Sequence, residues 1–241
     1  MISCVIPAYN EERRLGATIA RVSEYFAAGG REYEIIVVDD GSRDATARLA
    51  AELAHLHPHC RLMSLGRNRG KGAAVRHGVA GSRGDLVLFS DADLSTPIEE
   101  LEVLEKAILN GSDIAVGSRA LPGSRIEVHQ PRLRELMGKT YNLLIRVTLM
   151  SGIHDTQCGF KLFRGPVARE LFGLARIDDF GFDVEILYLA GRRGFRITEV
   201  PVRWINSPAS RVMVFSDSAG MLYDLLRVRA WSLLGKYRAD V

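Results

Sequence analysis

The sequence predicts an α/β domain in which a mostly parallel sheet carries helices on both faces. Three observations lead there. Over the first 118 residues, short apolar runs alternate with helical patterns. Strand–helix alternation builds a parallel sheet through right-handed crossovers. Polar, acidic or glycine-rich segments follow the apolar runs, at the edge where such sheets bind ligands. Finally, 241 residues with 47% hydrophobic and 25% charged side chains suit one large globular unit.

The apolar runs at residues 2–6, 34–38, 61–65, 85–89 and 113–116 read as strands. Between them, Leu15, Ile19, Val22 and Phe26 share one helix face, as do Leu49, Leu53 and Leu56, and Leu101, Leu104 and Ile108. Asn10 followed by Glu11 and Glu12 reads as a helix start with acids in its first turn. Residues 119–131, with Pro122, Gly123, Ser124 and Pro131, read as a loop. In the helix expected at 133–150, Glu135, Lys139, Asn142 and Arg146 form one narrow polar stripe and nearly everything else is apolar. One packing face needs only about 100° of apolar surface. The surplus implies deep burial, an oligomer interface or contact with a bilayer surface. Residues 158–205 return to mixed α/β, with a helical pattern at 184–190 and a strand at 196–200. A polar loop at 206–211 precedes a peripheral helix at 221–237 that carries Trp231, Arg227, Arg229 and Lys236. The expected division is a catalytic unit at 1–212 and a C-terminal helical segment at 213–241.

Composition excludes several classes. A net charge of +3 expresses no general polyanion preference, so nucleic acid is not an expected partner. Cys4, Cys60 and Cys158 are widely spaced and odd in number, which argues against a disulfide framework or zinc site and for a reducing compartment. The start lacks a signal-peptide pattern, and no stretch is long and apolar enough to span a bilayer. The expectation is an intracellular protein, soluble or surface-bound. Residues 66–72 resemble a phosphate loop, but the glycines are one residue too close and Gly72 stands where Ser or Thr is needed. Gly70-Lys71-Gly72 either presents N–H groups and an ammonium to an anion or is a plain glycine-rich turn.

The chemistry centres on Asp91-Ala92-Asp93, which closes the apolar run Leu86-Val87-Leu88-Phe89. Side chains one residue apart on a strand point the same way, and paired acids repel unless a cation lies between them. Hard divalent ions such as Mg²⁺ and Mn²⁺ take carboxylate and phosphate oxygens. The pattern therefore suggests a metal holding a substrate diphosphate; the alternative is a surface turn with two solvated acids. Pro7-Ala8-Tyr9-Asn10-Glu11 and Val38-Asp39-Asp40-Gly41-Ser42 fall at the same sheet edge, and three such ends converging by chance is much less probable than one.

These stretches, with Asn68, Gly70 and Gly72 and with Gly117-Ser118-Arg119, resemble in order the motifs of glycosyltransferase family 2. Residues 155–161 and 182–187 are similar to its polyprenyl-phosphate sugar synthases, closest to the dolichyl-phosphate glucosyl branch and next to the mannosyl branch. The resemblance implies a Rossmann-like nucleotide-diphospho-sugar transferase fold and a metal-dependent, inverting transfer, of glucose from UDP-glucose, onto a polyprenyl or dolichyl monophosphate at a membrane surface. By it, Pro7, Tyr9, Glu11, Val38 and Asp40 border the nucleoside, while Asp91, Ala92 and Asp93 hold ribose, diphosphate and metal. Arg119 sits near the phosphates, Arg211 closes over the donor diphosphate and Arg134 faces the acceptor phosphate, with Lys71 added to the donor set. Ser95 departs from the mannosyltransferases, which often have a metal-binding Gln there. A lipid phosphate needs positioning more than deprotonation, its second pKa being ~6; for a hydroxyl acceptor, Asp183 and Glu185 are candidate bases, or simply an acidic helix start. Alternatives are GDP-mannose as donor, a hydroxyl acceptor on a polysaccharide or glycolipid, and a non-catalytic sugar-nucleotide-binding subunit. The implied location is the cytoplasmic face of a membrane, with a homo-oligomer left open.

Overall fold

The computed structural model describes residues 1–128, 132–150, 152–206 and 214–237, and for 132–135, 139 and 214–219 the main chain only. In chain order, the first half runs β1 (Ile2–Ala8), α1 (Leu15–Ala28), β2 (Tyr33–Asp39), α2 (Thr46–Leu56), β3 (Cys60–Ser64), α3 (Lys71–Ala80), β4 (Leu86–Ser90), α4 (Leu101–Leu109) and β5 (Ile114–Ser118). The second half runs β6 (Arg125–Val128), α5 (Arg132–Thr148), β7 (Phe160–Arg164), α6 (Gly165–Leu174), α7 (Phe182–Arg192), β8 (Ile197–Pro201), β9 (Arg203–Ile205) and α8 (Val214–Leu233).

The central sheet has seven strands in the order β3-β2-β1-β4-β7-β5-β8. All pairings are parallel except those of β7, which runs antiparallel between β4 and β5. Alternation along each strand splits the core in two. On β1, Cys4 and Ile6 join a layer covered by α1, α2 and α4, whereas Val5 joins one covered by α3, α6 and α7. Leu15, Ile19, Val22 and Phe26 are wholly buried, which is why α1 forms where its periodicity predicts.

Three expectations need correction, and two elements were unassigned. The first helix begins at Leu15, so Glu11 and Glu12 lie before it, and Asn10 takes a left-handed turn with φ 56°. Asn10 can do so because its short amide bonds locally, here accepting from the Arg43 N–H at 2.7 Å. Leu56 is exposed, because α2 ends there and its buried line stops at Leu53. The stretch read as a loop holds β6, which pairs with β9 in a separate small sheet. Strand β7 and helix α6 had no assignment of their own in the sequence reading.

Helix α5 divides its apolar surface. Tyr141 and Ile145 are buried against Val184, Met221 and Leu225, whereas Leu136, Leu143, Leu144 and Val147 are exposed. Within the polar stripe, Asn142 turns inward and its Oδ1 accepts from the Thr156 N–H and hydroxyl at 3.2 and 2.9 Å. The side chains of Glu135 and Lys139 lie outside the described residues. Helix α8 packs beside α5 and also leaves Leu222, Tyr223 and Leu226 exposed, as well as Leu233 at its end.

Candidate active site

The strand order reverses at β1, which lies between β2 and β4, and open α/β sheets bind ligands at the carboxyl ends beside such a point. The turn after β4 carries the two acids. Asp91 donates its N–H to the Gly159 carbonyl at 3.0 Å, and the Ala92 carbonyl accepts from the Thr18 hydroxyl at 2.6 Å, so the turn is pinned from both sides. Asp91 Oδ1 pairs with Lys71 Nζ at 2.6 Å. Asp93 Oδ1 accepts the Ser95 N–H at 3.0 Å, and Arg14 Nη1 stands 3.8 Å from its Oδ2. Glu11 accepts from the same arginine, Nη2 lying 2.7 Å from Oε1. Two protein cations thus balance the acids, which the sequence reading had balanced with a metal alone.

Gly159 permits this arrangement. A Cβ there would stand 1.9 Å from Asp91 Oδ2, far inside van der Waals contact. Lys71 is aimed by the turn before it. The Asp40 carboxylate accepts the N–H groups of Arg69 and Gly70 at 2.7 and 2.9 Å, and Gly70 holds φ 104°, a conformation that favours glycine. Burial raises the Asp40 pKa, with Asp39 and Asp179 adding to it against those two N–H groups. The ammonium of Lys71 lies 5.3 Å from the centre of the Phe89 ring. Burial works against its charge, but Asp91 and Asp183 outweigh it and hold its pKa above the ordinary value.

Behind this front lies a second ion pair that the sequence reading missed. Lys161, on β7, is buried and donates to Asp183 Oδ1 at 2.5 Å and to the Cys158 carbonyl at 2.7 Å. Burial raises the Asp183 pKa despite Lys161 and Lys71. Glu185 is wholly buried; its carboxylate accepts the N–H groups of Arg176 and Ile177 and the Tyr237 hydroxyl. Those bonds make it a structural anchor for the turn before α7, not the base the sequence reading allowed.

Arg119 follows β5 and is held by Asp155 and Trp204. Its Nε and Nη2 fork onto Asp155 at 2.7 and 2.8 Å, its N–H adds a third bond, and its guanidinium lies 5.4 Å from the Trp204 ring centre. Burial opposes ionisation of Asp155, but the charge and hydrogen bonds of Arg119 prevail and hold the carboxyl below its usual range. A bidentate pair of this kind fixes geometry as well as charge.

Sequence reasoning thus brought Asp91, Asp93, Lys71, Asp40 and Glu11 correctly to one edge, with Arg119 following β5 at the same end of the sheet. Pro7, next to last in β1, and Tyr9, just past its end, are half-buried. The Val38 side chain is wholly buried beneath Gly78, so Val38 offers the edge its main chain alone. Arg211 lies outside the described residues, as does the Arg134 side chain. Arg14 and Lys161 were missed; a lysine in the otherwise apolar run Phe160-Lys161-Leu162-Phe163 was the available signal for the second.

Among the described residues no cluster of three or more ligating side chains forms a closed metal cage. Two carboxylates flanked by cations fit a different kind of site. Mg²⁺ is commonly held by one or two carboxylates plus substrate phosphates, and Asp91 and Asp93 supply that donor set.

Acids and an ammonium at the switch point of a Rossmann-like sheet, with a fixed guanidinium at the same end, suit a nucleoside diphosphate. The sequence profile of Glycosyl transferase family 2 matches residues 3–172, and the chain belongs to that family. It is a glycosyltransferase. Among relatives, it is 39% identical to dolichyl-phosphate beta-glucosyltransferase ALG5C of Trichomonas vaginalis, covering 96% of this chain and 71% of that one. It is 35% identical to the dolichyl-phosphate beta-glucosyltransferase of Homo sapiens, covering 99% and 78%. The fold is similar to glucosyl-3-phosphoglycerate synthase from Mycobacterium tuberculosis, solved with Mn²⁺, UDP and glucosyl-3-phosphoglycerate. There the TM-score is 0.70 at 21% identity, covering 95% of this chain and 79% of that one.

Proposed function

We propose that this chain transfers glucose from UDP-glucose to a polyprenyl or dolichyl monophosphate at a membrane surface, with inversion. The observation that carries the reading is the Asp91–Lys71 pair beside Asp93 at the switch point, in a chain whose relatives are named dolichyl-phosphate beta-glucosyltransferases. Asp91 and Asp93 would hold Mg²⁺ or Mn²⁺ with the donor diphosphate, and the ion would stabilise negative charge on the departing nucleoside diphosphate. Lys71 supplies a fixed positive charge on the same side, and Pro7, Tyr9, Glu11 and the β2 end border the nucleoside. Arg119, already forked onto Asp155, keeps Nη1 for a phosphate; Arg134 takes the acceptor phosphate and Arg211 covers the donor, both carried by the family resemblance. The acceptor is itself anionic near neutral pH, so these residues orient it and no base has to deprotonate it.

The membrane part of the reading rests on α5 and α8. No helix of the described residues is long and apolar enough to cross a bilayer. The two helices nevertheless pack together and expose Leu136, Leu143, Leu144, Val147, Leu222, Tyr223 and Leu226, with Arg229 and Lys236 exposed on the C-terminal side. Apolar rows beside basic side chains suit an interface rich in anionic lipid. The catalytic unit is then residues 1–212, and 213–241 supply the surface helix on the cytoplasmic face. Thermal shift against a panel of sugar nucleotides, with Mn²⁺, tests the donor. Stabilisation by UDP-glucose above GDP-mannose is expected; the reverse order would replace glucose by mannose in this account.

A further inference from the structure

The buried pair Lys161–Asp183 lies directly behind the donor site, and the reaction just described leaves it without a task. Asp183 is the second residue of α7, and Lys161 reaches it from β7 at 2.5 Å. Lys71, the first residue of α3, lies on the same aromatic ring as Lys161: the two ammoniums are 5.3 and 5.7 Å from the centre of Phe89. The order from the site inward is therefore Asp91, Lys71, Asp183, Lys161, with alternating signs that sum to zero. Lys161 alone would neutralise Asp183. Its carboxylate acts on Lys71 as well: the two ammoniums lie over the one Phe89 ring, and the Asp183 charge is among those that hold the Lys71 pKa above its ordinary value.

We propose that Asp183 is a positioning residue that holds the Lys71 ammonium over Phe89, facing the donor diphosphate, when Asp91 turns to the donor or its cation. This rests on the donor site described above. Lys71 has anionic neighbours of two kinds, Asp91 with Asp93 at the site and Asp183 behind it. Asp91 is at the surface of the site and is the one a diphosphate or divalent ion competes for. Asp183 is buried, already bonded to Lys161 and Lys71's remaining anchor once Asp91 is engaged. A flexible four-carbon ammonium is a poor phosphate ligand unless something restricts it. Asp183 does so through charge, and Phe89 through the surface beneath it.

The test is calorimetric titration with UDP at fixed Mn²⁺ on wild type, Asp183→Asn, Lys71→Met and the double variant, with transfer kinetics beside it. Asparagine keeps the shape of Asp183 and can still accept from Lys161. Each single variant should weaken UDP about tenfold, and the double variant little more, because both remove one interaction. In Asp183→Asn the donor KM should rise by a similar factor while kcat changes far less. A double variant weakened about a hundredfold would make the two residues independent and overturn the proposal. So would a kcat collapse with UDP affinity unchanged, the signature of a base. Lys161→Met decides the matter if Asp183→Asn does not melt cooperatively. It leaves Asp183 to Lys71, so UDP affinity should stay within about threefold of wild type, and a tenfold loss would make the pair purely structural. Should wild type ignore UDP but bind GDP, the donor reading is wrong, and GDP titrations of the same proteins still decide the role of Asp183.

Discussion

Replacing Gly159 by alanine tests the site at its tightest point. The added Cβ would lie 1.9 Å from Asp91 Oδ2 and 2.8 Å from Oδ1. Neither main chain can yield easily, because the Asp91 N–H bonds the Gly159 carbonyl at 3.0 Å and β7 is paired on both sides. The carboxylate must therefore swing away, which breaks its 2.6 Å contact with Lys71. Overpacking of this kind costs about 1–3 kcal/mol, and in a domain this large that lowers Tm by roughly 2–12 °C. The effect on rate should be larger. Displacing a group that stabilises developing charge typically costs ~10²–10³ in kcat. Differential scanning calorimetry and steady-state transfer assays read the two effects separately. A variant with wild-type turnover would show that Asp91 does not act from this position, and the assignment of the acidic turn would fall.

Asp93→Asn should nearly abolish transfer, by ~10²–10³, and excess EDTA should do the same to the wild type; full activity in EDTA would remove the divalent ion from the account. Changing Leu144 and Val147 to Glu should release the protein from anionic vesicles while thermal melting stays cooperative, since both side chains are exposed. A protein still bound to vesicles would move lipid contact elsewhere. Asp155 gives a pH dependence. Its folded pKa is lowered, so it stabilises the protein above its unfolded value of 3.8 and loses that contribution as pH falls through the folded one. Asp155→Asn should therefore be less stable than wild type near neutrality and converge with it in acid; an unchanged gap across the acid range would mean that Arg119 does not depend on the charge.

Much of this was legible because it is local. The strands of the first half and the faces of α1 and α4 follow from periodicity, and three polar strand ends at one edge follow from parallel topology. What was hidden depends on contacts between distant segments. Nothing near Gly159 says that its missing side chain makes room for Asp91, because the contact exists only once β7 inserts antiparallel beside β4. For the same reason Lys161 reads as an oddity in an apolar run until α7 brings Asp183 to it. Pairing of β6 with β9 likewise joins a segment that looks like loop to a three-residue stretch that periodicity leaves unassigned. Val38 was ambiguous for a different reason: a motif names positions, but alternation along the strand decides which side chains face the ligand and which the core. In α5 the apolar surplus was visible, but which apolar row faces solvent is set by packing on Val184, Met221 and Leu225.

The most direct test of the central claim is transfer itself. Purified protein, incubated with labelled UDP-glucose, Mn²⁺ and polyprenyl phosphate in anionic vesicles, should place label in the lipid fraction. The same prenol without its phosphate should receive none. Label on the unphosphorylated prenol or another hydroxyl acceptor, or UDP-glucose bound without transfer to the lipid phosphate, would contradict the account.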